Sequence, residues 1–240
     1  MRVLAGGPAR EAESAVFALH VAGLEAQNGA AAGANNYRAD VEVRHDIVTD
    51  EGGPRWHPHK IARVADARQR FLDEVDLVSY PEAVFMVDTD VVCGPGVLER
   101  MWAVDADVVY GVFWTEDDWG QPGPIAPQVW THHPYVMDDG VWEVLNRPGV
   151  HEVEVRGGGA CTLFRGRAFE SRYFPLLESI AHVGGMWAGE DRSYALGLEC
   201  RGIKQVAVTG LPIAHCYATE RRPWMADPDY LDVIRTEVGL

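Results

Sequence analysis

The stretch Ala83-Val84-Phe85-Met86-Val87-Asp88-Thr89-Asp90 constrains the fold more than any other part of the chain. Its five leading residues are apolar, Val and Phe among them, and read as a buried strand. Two aspartates spaced i, i+2 follow where that strand should end. Carboxylates at the carboxyl end of a central α/β strand sit where such sheets bind ligands. Alternate residues of an extended strand point the same way, so Asp88 and Asp90 are expected to converge on one divalent cation if the strand stays extended through Thr89. Mg2+ and Mn2+ prefer carboxylate oxygen and are commonly held together with substrate phosphates. Asp-x-Asp also describes an ordinary solvated turn, so the neighbouring segments decide its meaning.

A chain of 240 residues, 47% of them hydrophobic, is long enough for one large α/β domain or two small ones. No internal repeat, low-complexity run or linker divides it, which favours a single domain over 1–240. No run approaches the roughly 18 apolar residues that span a bilayer, and the apolar stretch at the N-terminus is too short for a signal peptide. A soluble cytoplasmic protein with no membrane partner is the expectation. Cys93, Cys161, Cys200 and Cys216 lie far apart with no C-x-x-C pair, which indicates neither a zinc knuckle nor a disulfide framework. The formal net charge of −15 argues against broad capture of a polyanion. Lys60, Arg63, Arg68 and Arg70 make one local basic stretch and Arg221-Arg222 a second; a solvated helix face explains such clusters equally well.

Strand and helix signals alternate along the chain, which predicts a mainly parallel sheet flanked by helices. A first strand is expected over Arg2 to Ala5, ending in Gly6-Gly7-Pro8. Helical spacing follows over Glu11 to Gln27, a short strand over Val41 to Val43, and a helix over Lys60 to Asp73. After the Asp88 strand come a Gly94-Pro95-Gly96 break, a helix over Val97 to Trp102 and a strand over Asp107 to Phe113. From Trp114 to Val150 the pattern dissolves into Trp, Pro, Gly and Asp, and an acceptor-binding insertion or lid is expected there. Regular signals return at Cys161 to Phe164, Asp191 to Cys200 and Gln205 to Val208.

Three further segments carry chemistry. In Gly184-Gly185-Met186-Trp187-Ala188-Gly189-Glu190-Asp191 two carboxylates start an amphipathic helix, where Tyr194, Ala195 and Leu198 form the apolar face. Acidic residues favour helix first turns simply because they oppose the macrodipole. The Gly-rich approach and Trp187 add a flat apolar surface suited to a sugar ring, and a carboxylate there suits a general base. His215, after the Gly210 turn, is either a core histidine or a metal ligand. In Arg156-Gly157-Gly158-Gly159-Ala160-Cys161 three glycines either expose backbone N–H groups to a ligand or form a flexible turn.

This ordered set, over roughly residues 2 to 217, resembles the GT-A nucleotide-sugar glycosyltransferases, especially family 2-like and Anp1-like members, including compact anchorless ones of phage DNA-modification systems. The resemblance implies a single GT-A (Rossmann-like) domain with a mixed, mainly parallel sheet. It implies a nucleotide-sugar-binding half at 1–112, an acceptor and catalytic half at 113–217 and a tail at 218–240. It implies that Asp90 is the main ligand of Mn2+ or Mg2+, that Asp88 contacts the ribose or the metal, and that His215 completes the metal site. Arg68, Gly6, Pro8 and Arg10 then hold the nucleotide, Asp191 and Glu190 are the catalytic carboxylates with Asp191 as the base, and Glu190, Gly158, Gly159 and Trp187 face the acceptor. Two departures stand out: Gln69 replaces the Asn usual after the Arg, and the first-strand loop lacks the usual Thr-Tyr-Asn type sequence.

The expected function is transfer of a sugar from a UDP- or GDP-sugar to an acceptor hydroxyl, with inversion. The acceptor is a glycan, a small molecule, a protein or a hydroxymethylated DNA base. Two alternatives stay open: a nucleotidyltransferase that makes nucleotide sugars, and a non-catalytic nucleotide-sugar or glycan-binding module.

Overall fold

The computed structural model describes residues 2–10, 14–28, 31–32, 37–48, 58–78, 82–116, 125–132, 137–166, 168, 190–216 and 228–240. The strands in chain order are β1 (Arg2–Arg10), β2 (Ala31–Ala32), β3 (Tyr37–Arg38), β4 (Asp40–Val48), β5 (Ala83–Val87), β6 (Val91–Cys93), β7 (Val108–Gly111), β8 (Trp114–Glu116), β9 (Ile125–Pro127), β10 (Val129–Trp130), β11 (His151–Glu154), β12 (Gly157–Gly158), β13 (Cys161–Arg165), β14 (Gln205–Thr209) and β15 (Ile213–His215). The helices are α1 (Ser14–Glu25), α2 (Pro58–Val78), α3 (Val97–Trp102), α4 (Asp139–Leu145) and two later ones, Glu190–Cys200 and Pro228–Val238.

Seven strands form the central sheet in the order β11-β14-β7-β13-β5-β1-β4. β1, β4, β5, β7 and β14 run one way, while β13 and β11 are reversed. The expectation of a mixed, mainly parallel α/β sheet in one domain therefore holds. β5 shows why its sequence is apolar throughout: Ala83, Phe85 and Val87 enter one core cluster, and Val84 and Met86 enter the cluster on the opposite face. The first cluster packs against Leu24 of α1 and Val97, Leu98 and Met101 of α3. The second packs against Ala65, Phe71 and Leu72 of α2 and Tyr194 and Leu198 of the Glu190–Cys200 helix. With all five β5 side chains essentially out of water, burial at about 25 cal/mol per Å2 fixes its register from both sides.

Three expectations need correction. First, β1 does not end at Ala5 but continues to Arg10, because its parallel ladder with β4 runs through Pro8↔Asp46 to Arg10↔Val48. Its pairing with β5 stops at Gly6↔Met86, so Pro8 has a ladder partner on one side only and its missing N–H costs no bond on the other. Second, the chain does not stay extended through Thr89. Val91 N–H donates to the Asp88 carbonyl at 2.9 Å, which closes a turn over Thr89-Asp90. Third, the 114–150 segment carries regular structure: β8 pairs with β9, β10 pairs with β12, and α4 packs on the edge strand β11. Residues 117–124 and 133–136 of that segment lie outside the described residues.

A buried amide steadies the turn between β6 and α3. Gln27, at the end of α1, donates to the carbonyls of Gly23 and Gly94 at 2.8 Å each and accepts from Leu98 N at 3.0 Å. One side chain thus ties α1, β6 and α3 together. Among the described residues no helix is long and apolar enough to cross a membrane.

Candidate active site

Because β5 ends at Val87 and the chain turns at once, its two aspartates leave in different company. Asp88 is held by α2: Arg68 Nη2 donates to both of its carboxylate oxygens, at 2.7 and 2.9 Å. The same guanidinium reaches Glu190 Oε1 through Nη1 at 3.0 Å. Arg68 is 6% exposed, so this is a buried cation shared by two carboxylates far apart in the sequence.

Asp90 is instead brought to His215. β15 pairs antiparallel with β6, with His215 opposite Val91, and Cys216 N–H donates to the Asp90 carbonyl at 2.6 Å. His215 Nε2 lies 3.4 Å from Asp90 Oδ2, and the imidazole stacks on Phe113 with ring centroids 5.5 Å apart. Strand pairing thus delivers the late histidine to the second aspartate of Asp-x-Asp.

Asp191 opens the Glu190–Cys200 helix from its second position. Tyr194 and Leu198 anchor that helix in the core, and Tyr194 Oη donates to the Ala168 carbonyl at 2.8 Å. The Asp191 carboxyl turns inward: a Cβ added to Gly159 would lie 2.9 Å from Asp191 Oδ2. Burial pushes its pKa up to about 7, and the neighbouring Glu190 charge adds to the rise. The Arg68 guanidinium and the Arg192 N–H, 2.7 Å from Asp191 Oδ1, pull the other way.

A small recess, open to solvent, is lined by Arg68, Asp88, Gly158, Gly159 and Asp191, with Tyr110 and Tyr194 among the rest. The three glycines are explained by close approach. A Cβ on Gly157 would strike the Trp130 ring at 2.4 Å and one on Gly158 the Tyr110 ring at 2.7 Å. The next residue, Ala160, takes φ 58°, unusual for a side chain other than glycine, and its carbonyl accepts from Asp88 N–H at 2.8 Å. The glycine run therefore shapes a wall of the recess.

Asp88, Arg68, Glu190, Asp191, Gly158 and Gly159 are thus together, with Asp90 and His215 paired across the Asp88–Val91 turn. Gly6 lies in β1 beside the end of β5, with φ 140°. The backbone of Pro8 and Arg10 continues that strand, while their side chains lie outside the described residues, as do Trp187 and the whole Gly184–Gly189 approach. Trp119 also lies outside. Trp130, expected on an acceptor lid, is 4% exposed and packs on Gly157. Trp142 is 40% exposed and meets Trp114 edge to face at 5.6 Å. Among the described residues no group of three or more His, Cys, Asp or Glu side chains is disposed to hold a metal by itself.

Sequence reasoning missed a pair of histidines, His20 and His45. His20 of α1 is fully buried, with Nδ1 2.7 Å from the Val91 carbonyl, and His45 of β4 has Nδ1 3.3 Å from the Gly7 carbonyl. Their ring centroids are 5.0 Å apart, and Phe17 is 5.0 Å from His45. A histidine within an otherwise apolar helical run was the available signal.

No protein-family profile matches the chain, and no curated protein does so. Solved structures do match. A197 from STIV gives a TM-score of 0.54 at 15% identity, over 91% of this chain and 87% of that one. GalNAc-T7, solved with UDP, GalNAc and Mn2+, gives 0.52 at 10% identity over 92% of this chain and 44% of that one. The chain therefore spans less than half the length of GalNAc-T7. At such identities the likeness is one of fold, and the fold is the GT-A arrangement.

Proposed function

We propose that the protein is a metal-dependent glycosyltransferase that moves a sugar from a UDP- or GDP-sugar to an acceptor hydroxyl with inversion of configuration. One observation carries this reading. The carboxyl of Asp191, with a pKa of about 7, lines the same recess as Asp88 of the Asp-x-Asp turn. A general base works best when its pKa lies near the operating pH, and burial has moved an ordinary carboxyl there.

The first 112 residues supply the donor side. Gly6, Pro8 and Arg10 of β1 face the nucleoside and Asp88 the ribose. Asp90 and His215 place a carboxylate oxygen and an imidazole nitrogen 3.4 Å apart, which fits a site for Mn2+ or Mg2+ that diphosphate oxygens complete. Asp90 and His215 would hold such a cation, which would supply positive charge against the diphosphate leaving group.

Residues 113–217 supply the acceptor side. Asp191 takes the proton of the acceptor hydroxyl as that oxygen bonds to the anomeric carbon, and the bond from that carbon to the diphosphate oxygen breaks. Gly158 and Gly159 keep one wall low, so the hydroxyl can approach the carboxylate. The exposed Trp142, braced by Trp114, offers flat apolar surface that suits a sugar-bearing acceptor, the role the sequence also assigns to Trp187.

The test is a screen of UDP- and GDP-sugars with and without Mn2+. Release of the nucleoside diphosphate that requires Mn2+ supports the proposal. Pyrophosphate formed from a sugar phosphate and a nucleoside triphosphate would identify a nucleotidyltransferase instead, and tight donor binding without turnover a binding module.

A further inference from the structure

We infer that Glu190 works on the donor side of the site, through Arg68, as a positioning residue that keeps Asp88 from being wholly neutralised. This rests on the transferase reading above and assigns Glu190 away from the acceptor, where its place beside the base would otherwise put it.

The geometry supports that assignment in three ways. Glu190 Oε1 is engaged by Arg68 Nη1 at 3.0 Å, and its side chain is only 12% exposed, so it has little area to offer an acceptor. Asp191, not Glu190, is the carboxyl that faces Gly159 across the recess. Finally, Arg68 divides its fork: Nη2 holds both oxygens of Asp88, while Nη1 holds Glu190.

The charge balance follows from that sharing. One guanidinium against two carboxylates leaves the triad with one net negative charge, and Asp88 keeps part of it to attract a cation bound at the neighbouring turn. Removing the Glu190 charge would take away one of the carboxylates that share Arg68 and leave more of its charge to Asp88, with the Asp191 carboxyl nearby. The Arg68–Asp88 pair taken by itself is neutral, so its pull on a metal–nucleotide complex would fall.

The experiment is calorimetric titration of UDP in the presence of Mn2+, or of GDP where the donor screen selects it, into the whole chain. Four variants are compared with the unaltered protein: Glu190→Gln, Glu190→Asp, Arg68→Lys and the Arg68→Lys/Glu190→Gln double. Outer-sphere partners of metal sites commonly cost about 10–100-fold in affinity, and Glu190→Gln is expected to weaken binding by about tenfold. Glu190→Asp keeps the charge and is expected to stay within about twofold. A lysine ammonium cannot bridge both carboxylates, so in the Arg68→Lys background Glu190→Gln should add no more than about twofold. The acceptor KM of Glu190→Gln should match that of the unaltered protein.

Binding within twofold for Glu190→Gln, an equal loss in Glu190→Asp, or the same loss in the Arg68→Lys background each overturns the inference. So does a raised acceptor KM with donor binding unchanged. If the unaltered protein binds neither UDP nor GDP with Mn2+, it is the transferase reading that fails.

Discussion

His215 Nε2 stands 3.4 Å from Asp90 Oδ2, joined through the β15–β6 strand pair rather than through any local sequence. The imidazole is fixed by its stacking on Phe113 and by the ladder that holds its backbone, so its replacement should leave the fold intact. Loss of even an outer-sphere partner costs about 10–100-fold in metal affinity, so His215→Gln and Asp90→Asn should each weaken Mn2+ binding in the presence of nucleotide by at least about tenfold. Electron paramagnetic resonance of free Mn2+ reads this directly. Unchanged Mn2+ binding in both variants would remove the pair from the metal site.

Asp191 gives a pH prediction with a definite sign. Its carboxyl must be ionised to accept a proton, so turnover should rise with pH and level off above about 7. For stability the sign is the reverse. The folded-state pKa is raised above that of the unfolded chain, so the contribution is fully present below about 4 and is lost as pH rises through about 7. Asp191→Asn should therefore raise the melting temperature at pH 8 by a few degrees and leave it nearly unchanged at pH 4. A variant less stable than the unaltered protein at pH 8 would contradict a carboxyl whose pKa burial has raised.

His20 makes the opposite contribution. Burial lowers its pKa from 6.5 to about 4, so the unfolded chain binds a proton that the folded protein refuses between those values. Stability should fall as pH drops from about 6.5 to about 4, partly masked by Asp191 over the same window. Chemical denaturation of His20→Gln across that range should show a shallower loss on acidification. An unchanged slope would mean that His20 is protonated in the fold.

Gly159→Ala tests the wall of the recess. The new Cβ would lie 2.9 Å from Asp191 Oδ2, so the carboxylate or the loop must shift. A misplacement of about 1 Å at a reacting group can cost about a hundredfold, and turnover should fall by that order while donor binding changes little. Steady-state kinetics with a donor-binding titration separates the two effects. Equal losses in both would place Gly159 on the donor side.

Much of this was legible in the sequence where one residue type can do only one thing. Ala83–Val87 reads as a buried strand because every position is apolar, and both sheet faces use it. Val97–Trp102 after its Gly-Pro-Gly break, and the Glu190–Cys200 helix from the helical spacing of Tyr194, Ala195 and Leu198, were placed to within one residue. The partners of Arg68 were not legible. Asp88 lies 20 residues away and Glu190 far beyond, and nothing in α2 distinguishes a buried counter-ion from a solvated arginine. β6 and β15 were missed because three-residue strands carry too little periodicity to register. The turn over Thr89-Asp90 was missed because Asp-x-Asp is compatible with either an extended or a turned backbone.

The most direct measurement is the turnover of Asp191→Asn beside its binding of Mn2+ and nucleotide. With Asp191 as base, turnover falls by at least about a hundredfold, nucleotide binding in the presence of Mn2+ stays near that of the unaltered protein, and the latter's product carries the inverted anomeric configuration. Near-normal turnover in Asp191→Asn, or a product that retains the donor's configuration, would contradict the assignment.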